Sequence, residues 1–225
     1  LCDQPATSSV LVDETDAASR PRGARRLSAR YTKPYLAHAS LAPSCAVARI
    51  VDGQVEIWTH SQGIFPLRRE ISVILGLPPE RVVVHHAEGA GCYGHNGADD
   101  AALDAVWLSR AVGGRPVRLQ WMREDEFAWE PYGPAMVVDV EAALDEEGHI
   151  TEWQLQARSN GHLSRPGAAS ARHRQSSLIA AWHVADALPR TPQVDPAMGP
   201  DGVSGGGVGR NAVAAIYALP NHRVT

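Results

Sequence analysis

Two short apolar-rich segments, residues 44–50 and 55–59, are the first part of the chain with a clear pattern of buried positions. Each has the length and the residue types of a strand. Asp52-Gly53 lies between them and supplies the positive φ that a tight turn requires. The pattern therefore predicts a β-hairpin.

Two longer segments, 66–75 and 99–112, show the features of helices. In the first, apolar side chains recur at spacings of three and four residues, at Leu67, Ile71, Ile74 and Leu75. Gly76 follows at the position where helices commonly end. In the second, one residue of Asp99-Asp100 is the predicted N-cap and Gly113-Gly114 ends the helix.

The other apolar segments are short and predict strands. They comprise residues 81–85 and 116–121, a second hairpin of 136–144 and 150–157, and a strand that begins at His222. Hairpins together with two main helices predict an α+β fold whose sheets are mixed or antiparallel. A chain that ends as a strand begins also suggests a fragment of a larger subunit.

Two stretches lack a clear period. Residues 1–30 are rich in Ala, Ser, Asp and Arg and are predicted to be a connecting segment or a surface helix. Residues 160–210 consist mostly of Ala, Gly, Pro, Arg and Ser and are predicted to be largely irregular. Residues 31–225 are accordingly expected to form one domain, which is itself incomplete.

Charge, apolar runs and cysteine spacing exclude several classes of partner and cofactor. The net charge is −4, and no basic stripe indicates nucleic acid binding. No apolar run approaches the roughly 20 residues of a membrane span. No signal peptide is visible, so the sequence leaves a cytoplasmic or a periplasmic location open. The three cysteines contain no CxxC pair, so no iron–sulfur cluster is expected within this chain.

The loop of residues 88–98 is the strongest candidate for a ligand site. Its glycines follow a predicted strand and precede a helix, where backbone N–H groups can approach a ligand closely. It lacks the GKS or GKT ending of a phosphate-binding Walker loop. The spacing of Gly89, Gly91 and Gly94 matches a dinucleotide fingerprint formally, but the preceding hairpin and helix lack the first strand of a βαβ unit. A structural turn is the alternative.

Other polar positions carry weaker signals. Gln62 follows a strand in Trp58-Thr59-His60-Ser61-Gln62 and can recognise an oxo or amide group, or it can cap the next helix. Gly205–Asn211 combines a flexible backbone with Arg210, which suits contact with an anion; a linker is the alternative. No helical HExxH spacing predicts a histidine-held metal, and no GxSxG motif predicts a hydrolase. His38, His60 and His95 lie in predicted loops and would have to meet in space to act together.

In combination, these stretches resemble the large subunit of the xanthine dehydrogenase/aldehyde oxidase superfamily, in particular the branch that holds the beta subunit of isoquinoline 1-oxidoreductase and the B subunit of nicotinate dehydrogenase. The resemblance runs from about Tyr31 to the end of the chain. Its motifs are Tyr35…His38…Pro43, Trp58–Gln62, the run Gly89–Gly94, the block Arg115–Asp125 and the tail Arg210-Asn211…Tyr217…Pro220-Asn221.

The resemblance implies a molybdenum–pterin cofactor, often the cytosine dinucleotide form in bacterial members. It implies hydroxylation of an N-heterocycle or an aldehyde with water as the oxygen source, and electron transfer to iron–sulfur clusters on a partner subunit. Gln62 matches the glutamine that hydrogen-bonds an oxo ligand of molybdenum. Gly91, Cys92, Tyr93 and Gly94 match the family's Gly-Gly-Phe-Gly run beside the metal, with Tyr93 close to substrate.

Several positions depart from the family pattern. Cys92 replaces a glycine, and Ala42 replaces an acidic residue that many members carry before the proline. Near the position where xanthine-oxidising members carry a substrate-binding glutamate, this chain has Gly97. Purines are therefore poor substrate candidates. The catalytic glutamate of the family lies near its C-terminus, and nothing in this chain matches it. The chain is expected to form one wall of the site, or to belong to a non-catalytic relative with a binding or assembly role.

Overall fold

The computed structural model describes residues 1–6, 8, 10–14, 25–89, 91, 93, 94, 96–160, 175–190 and 218–225. The α-helices are α1 (Ile64–Leu75), α2 (Ala98–Ala111) and α3 (Arg123–Trp129). The strands are β1 (Val12–Glu14), β2 (Arg25–Lys33), β3 (Cys45–Val51), β4 (Gln54–Thr59), β5 (Val82–His86), β6 (Val117–Gln120), β7 (Met136–Leu144), β8 (Ile150–Ser159) and β9 (His222–Val224).

These elements belong to two compact units. The first comprises the described residues of Leu1–Leu36, Pro134–Leu163 and Gln193–Thr225, and the second those of Ala37–Gly133 and Ser164–Pro192. Each unit contains one mixed sheet. The predicted α+β class with mixed sheets is confirmed, and α3 is a short third helix beside the two that were predicted.

The first unit is built on a five-stranded sheet with the order β1-β9-β8-β7-β2. The predicted hairpin of β7 and β8 is present, and β9 pairs in parallel with β8. Residues 1–30 are more than a connecting segment, because they contain β1 and most of β2. Strand β2 pairs with β7 from Arg25 to Lys33, so it runs through the predicted boundary at residue 30. Sequence analysis missed β2 because almost all of its side chains are exposed, so buried and exposed positions do not alternate.

The second unit is built on a four-stranded sheet with the order β5-β4-β3-β6. The predicted hairpin of β3 and β4 is present and turns at Asp52 and Gly53, which have φ angles of 50° and 73°. Strand β5 lies parallel to β4, and α1 forms the crossover between them. The expectation that no βαβ unit precedes the glycine loop was therefore wrong. The sheet remains mixed, because β6 pairs antiparallel to β3 at the other edge.

Helices α1 and α2 enclose the core of this unit. Gly76 ends α1 with a φ of 66°, as predicted. Helix α2 begins after Gly97, and neither Asp99 nor Asp100 is the N-cap. Both carboxylates lie in the first turn and are buried instead. The buried apolar side chains of the core include Ala48, Val55, Ile57, Leu67, Ile71, Val82, Leu103, Val106 and Leu178.

Residues 175–190 cover this core and are held by two buried acids. The Glu70 carboxylate accepts hydrogen bonds from the Ser177 N–H at 2.6 Å and the Ser176 hydroxyl at 2.8 Å. Asp100 Oδ1 accepts the Ile179 N–H at 2.8 Å. Ile179–Trp182 is a 3-10 helix, so this part of the predicted irregular stretch is ordered against α1 and α2. Residues 161–174 and 191–210 of that stretch lie outside the described residues.

Asp100 gives a first testable prediction, which concerns pH. Burial raises the pKa of Asp100 well above its ordinary value, and the neighbouring Asp99 adds to the effect. The folded chain therefore binds this proton more tightly than the unfolded chain. The stability that the group contributes is full below an unfolded pKa of about 4 and is lost as the pH rises through the folded value.

Asp100→Asn keeps the oxygen that accepts the Ile179 N–H and cannot ionise. We therefore expect the variant to melt at a higher temperature than the wild type at pH 7, with the difference shrinking as the pH falls towards about 4. Thermal melting monitored by circular dichroism across this range measures the difference. A difference that is independent of pH would contradict the explanation.

Candidate functional site: the loops at one edge of the four-stranded sheet

The carboxyl ends of β4 and β5 bring two of the predicted loops together. The strands are parallel and their register pairs Thr59 with His86, so both chains leave the sheet at the same edge. The Ala87 N–H donates to the Thr59 carbonyl oxygen at 2.8 Å, and His86 Nδ1 lies 3.2 Å from the Ser61 carbonyl oxygen. Segment 60–63 therefore runs beside the start of the glycine loop, residues 87–97.

Gly89, Gly91 and Gly94 lie where an added Cβ would come close to a neighbouring side chain. A Cβ on Gly89 would lie 2.6 Å from the His60 ring, and one on Gly91 would lie 2.6 Å from the Tyr93 hydroxyl. A Cβ on Gly94 would lie 2.9 Å from His38 Nε2. Gly91 and Gly94 also have φ angles of 111° and 127°, which favour glycine. The loop therefore depends on glycine for its path, as a close approach of the backbone would require.

His60 lies beneath the loop as a neutral ring. Burial lowers its pKa, although Glu126 and Asp99 oppose the shift. The Cys45 N–H donates to His60 Nε2 at 3.4 Å, which places the ring proton on Nδ1. Nδ1 is buried and has no hydrogen-bond partner among the residues that the structure describes. A buried donor therefore lies beside Gly89 at this edge.

Asn96 joins the loop to its surroundings, and sequence analysis missed it. The side chain is buried, and its Nδ2 donates to Ser40 Oγ at 3.2 Å and to the Gly91 carbonyl oxygen at 3.4 Å. Its Oδ1 accepts the Ala98 N–H at 3.1 Å, at the start of α2. Its position just before a predicted helix was the available signal, because asparagine caps helices and local turns.

A third segment, residues 37–44, reaches the same edge and is fixed by α3. Glu130 Oε1 accepts the His38 N–H at 2.7 Å. Glu126 accepts the Ser44 N–H and hydroxyl at 3.0 and 2.7 Å and pairs with Arg123. Burial raises the pKa of Glu130, although the N–H of His38 opposes this shift. The block Arg115–Asp125 carries part of the family resemblance. It contains the first turn of α3, the helix that supports segment 37–44.

The structure brings most of the predicted site residues to this edge. Gln62 is exposed just beyond β4, and the Tyr93 side chain is 61% exposed beside the half-buried Gly91. Gly94 is half-buried against His38. Cys92 and His95 lie outside the described residues, as do Gly205–Asn211. His38 and His60 contact the same loop at different glycines.

Comparison with known proteins identifies the family. Residues 6–185 match the model of the molybdopterin cofactor-binding domain. The B subunit of nicotinate dehydrogenase from Pseudomonas putida is 39% identical over 162 residues, which is 71% of this chain and 14% of that protein. The beta subunit of isoquinoline 1-oxidoreductase from Brevundimonas diminuta is 31% identical over 129 residues, covering 56% of this chain and 16% of that protein.

A solved structure shares the fold. Quinoline 2-oxidoreductase from Pseudomonas putida 86 matches with a TM-score of 0.57 at 18% identity, over 68% of this chain and 20% of that chain. The matched region is thus a small part of each of these larger proteins. The relatives agree with the branch that the sequence motifs indicated. The chain belongs to the molybdopterin cofactor-binding domain family.

Proposed function

We propose that this chain forms one wall of the molybdenum–pterin site in the large subunit of an oxidoreductase. The observation that carries the proposal is the convergence of segments 37–44, 60–63 and 87–97 at one edge of the four-stranded sheet. A cofactor that approaches the main chain needs such an edge, with glycines and a few oriented polar groups. Membership of the cofactor-binding family supports the same ligand.

The residues present fit this group. Gly91 and Gly94 leave the backbone without Cβ atoms, and their φ angles would strain any other residue. His60 Nδ1 is a buried donor with no partner in the described part of the chain, which a polar ligand or a water can supply. When bound, the cofactor would supply the redox and Lewis-acid chemistry for hydroxylation with oxygen from water.

The role of the protein's own side chains is to position the cofactor and the substrate. By the resemblance, the Gln62 amide would hydrogen-bond the cofactor at its metal end. Tyr93 would take the aromatic position beside substrate, and the run Gly91, Cys92 and Gly94 would hold the cofactor through its main chain. The assignment of these roles rests on the resemblance, and the exposure of Gln62 and Tyr93 at this edge supports it.

Exposed apolar side chains indicate that this edge is covered in the complete subunit. Leu41, Phe65 and Tyr93 are 87%, 66% and 61% exposed, and they lie on or directly beside the three converging segments. Water-exposed apolar groups clustered at one edge are typical of a surface that binds another part of the protein or a ligand. The rest of the same subunit and the cofactor are the proposed occupants.

No catalytic base is proposed within this chain. Two buried carboxylates, that of Glu126 in α3 and that of Glu130 directly after α3, accept hydrogen bonds from the main chain of segment 37–44. Groups engaged in this way hold structure and are poorly placed to take a proton from a reacting atom. The catalytic glutamate is proposed to lie elsewhere in the complete subunit.

The proposed substrate is a small N-heterocycle or an aldehyde. The names of two similar proteins, which refer to nicotinate and isoquinoline, support the first class. Electrons are proposed to leave through iron–sulfur clusters on a partner subunit, and the cofactor is proposed to be the cytosine dinucleotide form. None of the described helices is long and apolar enough to cross a membrane.

Elemental analysis tests the cofactor assignment. The complete subunit would be co-expressed with its iron–sulfur partner, and we expect about one molybdenum atom per large subunit. Phosphodiesterase treatment and nucleotide analysis of the released cofactor would identify the cytosine form. A well-folded complex without molybdenum would contradict the proposal and favour a non-catalytic binding or assembly role.

Gln62→Ala should separate cofactor binding from turnover. We expect the variant to retain molybdenum while kcat falls on the order of 100-fold, because one oriented hydrogen-bond donor is lost at the reacting centre. Gln54→Ala is the matched control, since Gln54 is exposed at the opposite end of the same strand. Equal turnover of the two variants would remove Gln62 from the site.

A further inference from the structure

A cavity lies between α2, α3 and residues 179–184. Its volume is about 460 Å³, which is within the usual size of a small-molecule site. Asp100 and Trp121 are buried at its base, whereas Trp129 is 49% exposed. The cavity therefore leads from an open rim to a buried floor. Its polar and aromatic lining consists of Asp100, Asp104, Trp107, Trp121, Asp125, Trp129 and His183.

Two buried polar atoms of this lining lack partners. Asp100 Oδ1 accepts the Ile179 N–H, but Asp100 Oδ2 has no hydrogen-bond partner within the described ranges. Trp107 Nε1 is likewise buried without a partner there. Asp100 is only 1% exposed, so water does not solvate its carboxylate freely. Buried polar atoms without partners are unusual in folded proteins, and a bound molecule or ion in the cavity would supply the missing contacts.

The charge of the lining is predominantly negative. Asp100, Asp104 and Asp125 all line the cavity, and His183 is the one basic side chain among its lining residues. Burial raises the pKa of both Asp100 and Asp104, which means that their ionised forms lack a compensating charge. A cation in the cavity would supply it.

The walls are aromatic. Trp107, Trp121 and Trp129 line the cavity, and indole binds cations over its face more strongly than the other aromatic side chains. Trp107 already has the guanidinium of Arg110 at 5.8 Å from its ring, although Arg110 does not line the cavity. At the rim, the rings of Trp129 and His183 make an edge contact at 6.0 Å.

A metal ion fits these residues poorly. In the described part of the chain, one group of three potential ligands has its atoms within 4.8 Å of one another, and it lies at the β7–β8 turn in the other unit. The carboxylates of the cavity do not form such a group. Three indoles and a volume of about 460 Å³ suit a larger ion of low charge density.

We propose that this cavity binds a small organic ammonium cation, with the indoles of Trp107, Trp121 and Trp129 as walls and the carboxylates of Asp100 and Asp104 as counter-charges. None of the residues assigned to the proposed molybdenum site lines this cavity. Trp121 is the link between them, because a Cβ on Gly97 would lie 2.3 Å from its ring.

Choline is the probe, titrated into the complete subunit and followed by calorimetry and by ligand-observed NMR. We expect saturable binding in the millimolar range, which is typical of one small cation in an aromatic site. The neutral control is 3,3-dimethylbutan-1-ol, which has the shape of choline without its charge. It should bind at least about tenfold more weakly if the site recognises the cation.

Two variants locate the binding. Asp104→Asn removes a charge and keeps an oxygen for the Trp121 Nε1–H, which donates to Asp104 at 3.1 Å. Trp107→Leu removes one wall. Each should weaken choline binding about tenfold, while Trp153→Leu, a tryptophan of β8 in the other unit, should leave it unchanged.

If one of the variants Asp104→Asn and Trp107→Leu fails to fold, the other still tests whether choline binds in this cavity. No saturable binding of choline, equal binding of the neutral analogue, or unchanged affinity in a folded Asp104→Asn variant would overturn the proposal. Molybdenum content is measured in parallel on the same samples. Loss of choline binding with molybdenum retained, or the reverse, distinguishes a failure of this site from a failure of the proposed function.

Discussion

Exchange of Gly94 for alanine is expected to remove most of the molybdenum from the complete subunit while leaving it folded. The φ of 127° at Gly94 is unfavourable for any residue with a Cβ, at a cost of about 1–3 kcal/mol. The new Cβ would also lie 2.9 Å from His38 Nε2. The loop must therefore move away from His38, and we expect molybdenum content to fall at least about tenfold.

Gly113→Ala is the matched control for this effect. Gly113 has a φ of 75°, and a Cβ there would meet no atom within 4 Å. It follows α2 at the end opposite the glycine loop. The control should lose about 1 kcal/mol of stability and retain its molybdenum. Full molybdenum content in Gly94→Ala would show that the main chain at this position does not approach the cofactor.

Glu70→Ala should release residues 175–190 from helix α1. The carboxylate is fully buried and accepts hydrogen bonds from both hydroxyls of Ser176 and Ser177 and from the Ser177 N–H. Its removal leaves these donors without an acceptor, at about 1–3 kcal/mol for the buried main-chain group alone. The free energy of opening this segment should fall by at least that amount.

Hydrogen exchange followed by mass spectrometry measures this opening in the complete subunit. Amides of peptides from residues 175–190 should exchange about tenfold to a hundredfold faster in Glu70→Ala than in the wild type. Glu80→Gln is the control for loss of a charge, since Glu80 is exposed near the C-terminal end of α1. Unchanged protection in Glu70→Ala would mean that apolar contacts alone hold the segment.

Local signals in the sequence were sufficient for most of the second unit. The hairpin of β3 and β4 follows from Asp52-Gly53, whose positive φ angles the turn requires. The end of α1 follows from Gly76, which adopts the left-handed conformation. Each of these features depends on residues next to one another in the chain, which is why pattern and turn chemistry reveal them.

Pairings between distant residues were not predictable in this way. Nothing in the period of β5 indicates that its neighbour is β4 or that the two are parallel. The burial of Glu70 within an amphipathic helix is explained only by Ser176 and Ser177, more than 100 residues away. Helix α3 has 7 residues, too few for a clear helical period.

The residues of the candidate site also differ in whether a local sequence signal or a distant contact reveals them. Gly91 and Gly94 stood out because a glycine-rich loop before a helix is a recognisable local feature. Asn96 did not, because its importance lies in contacts with Ser40 and with the carbonyl oxygen of Gly91. Glu126 and Glu130 resembled ordinary helix-surface charges, and only the structure places them under segment 37–44.

The arrangement of the five-stranded sheet has a consequence for synthesis on the ribosome. Strand β1 pairs with β9, from Val12 with Val224 to Glu14 with His222. At roughly 5–20 residues per second, β1 therefore waits on the order of ten seconds or more for its partner. The second unit, whose last described residue is Arg190, can fold during that time. We expect nascent chains to acquire the glycine loop before the five-stranded sheet is complete.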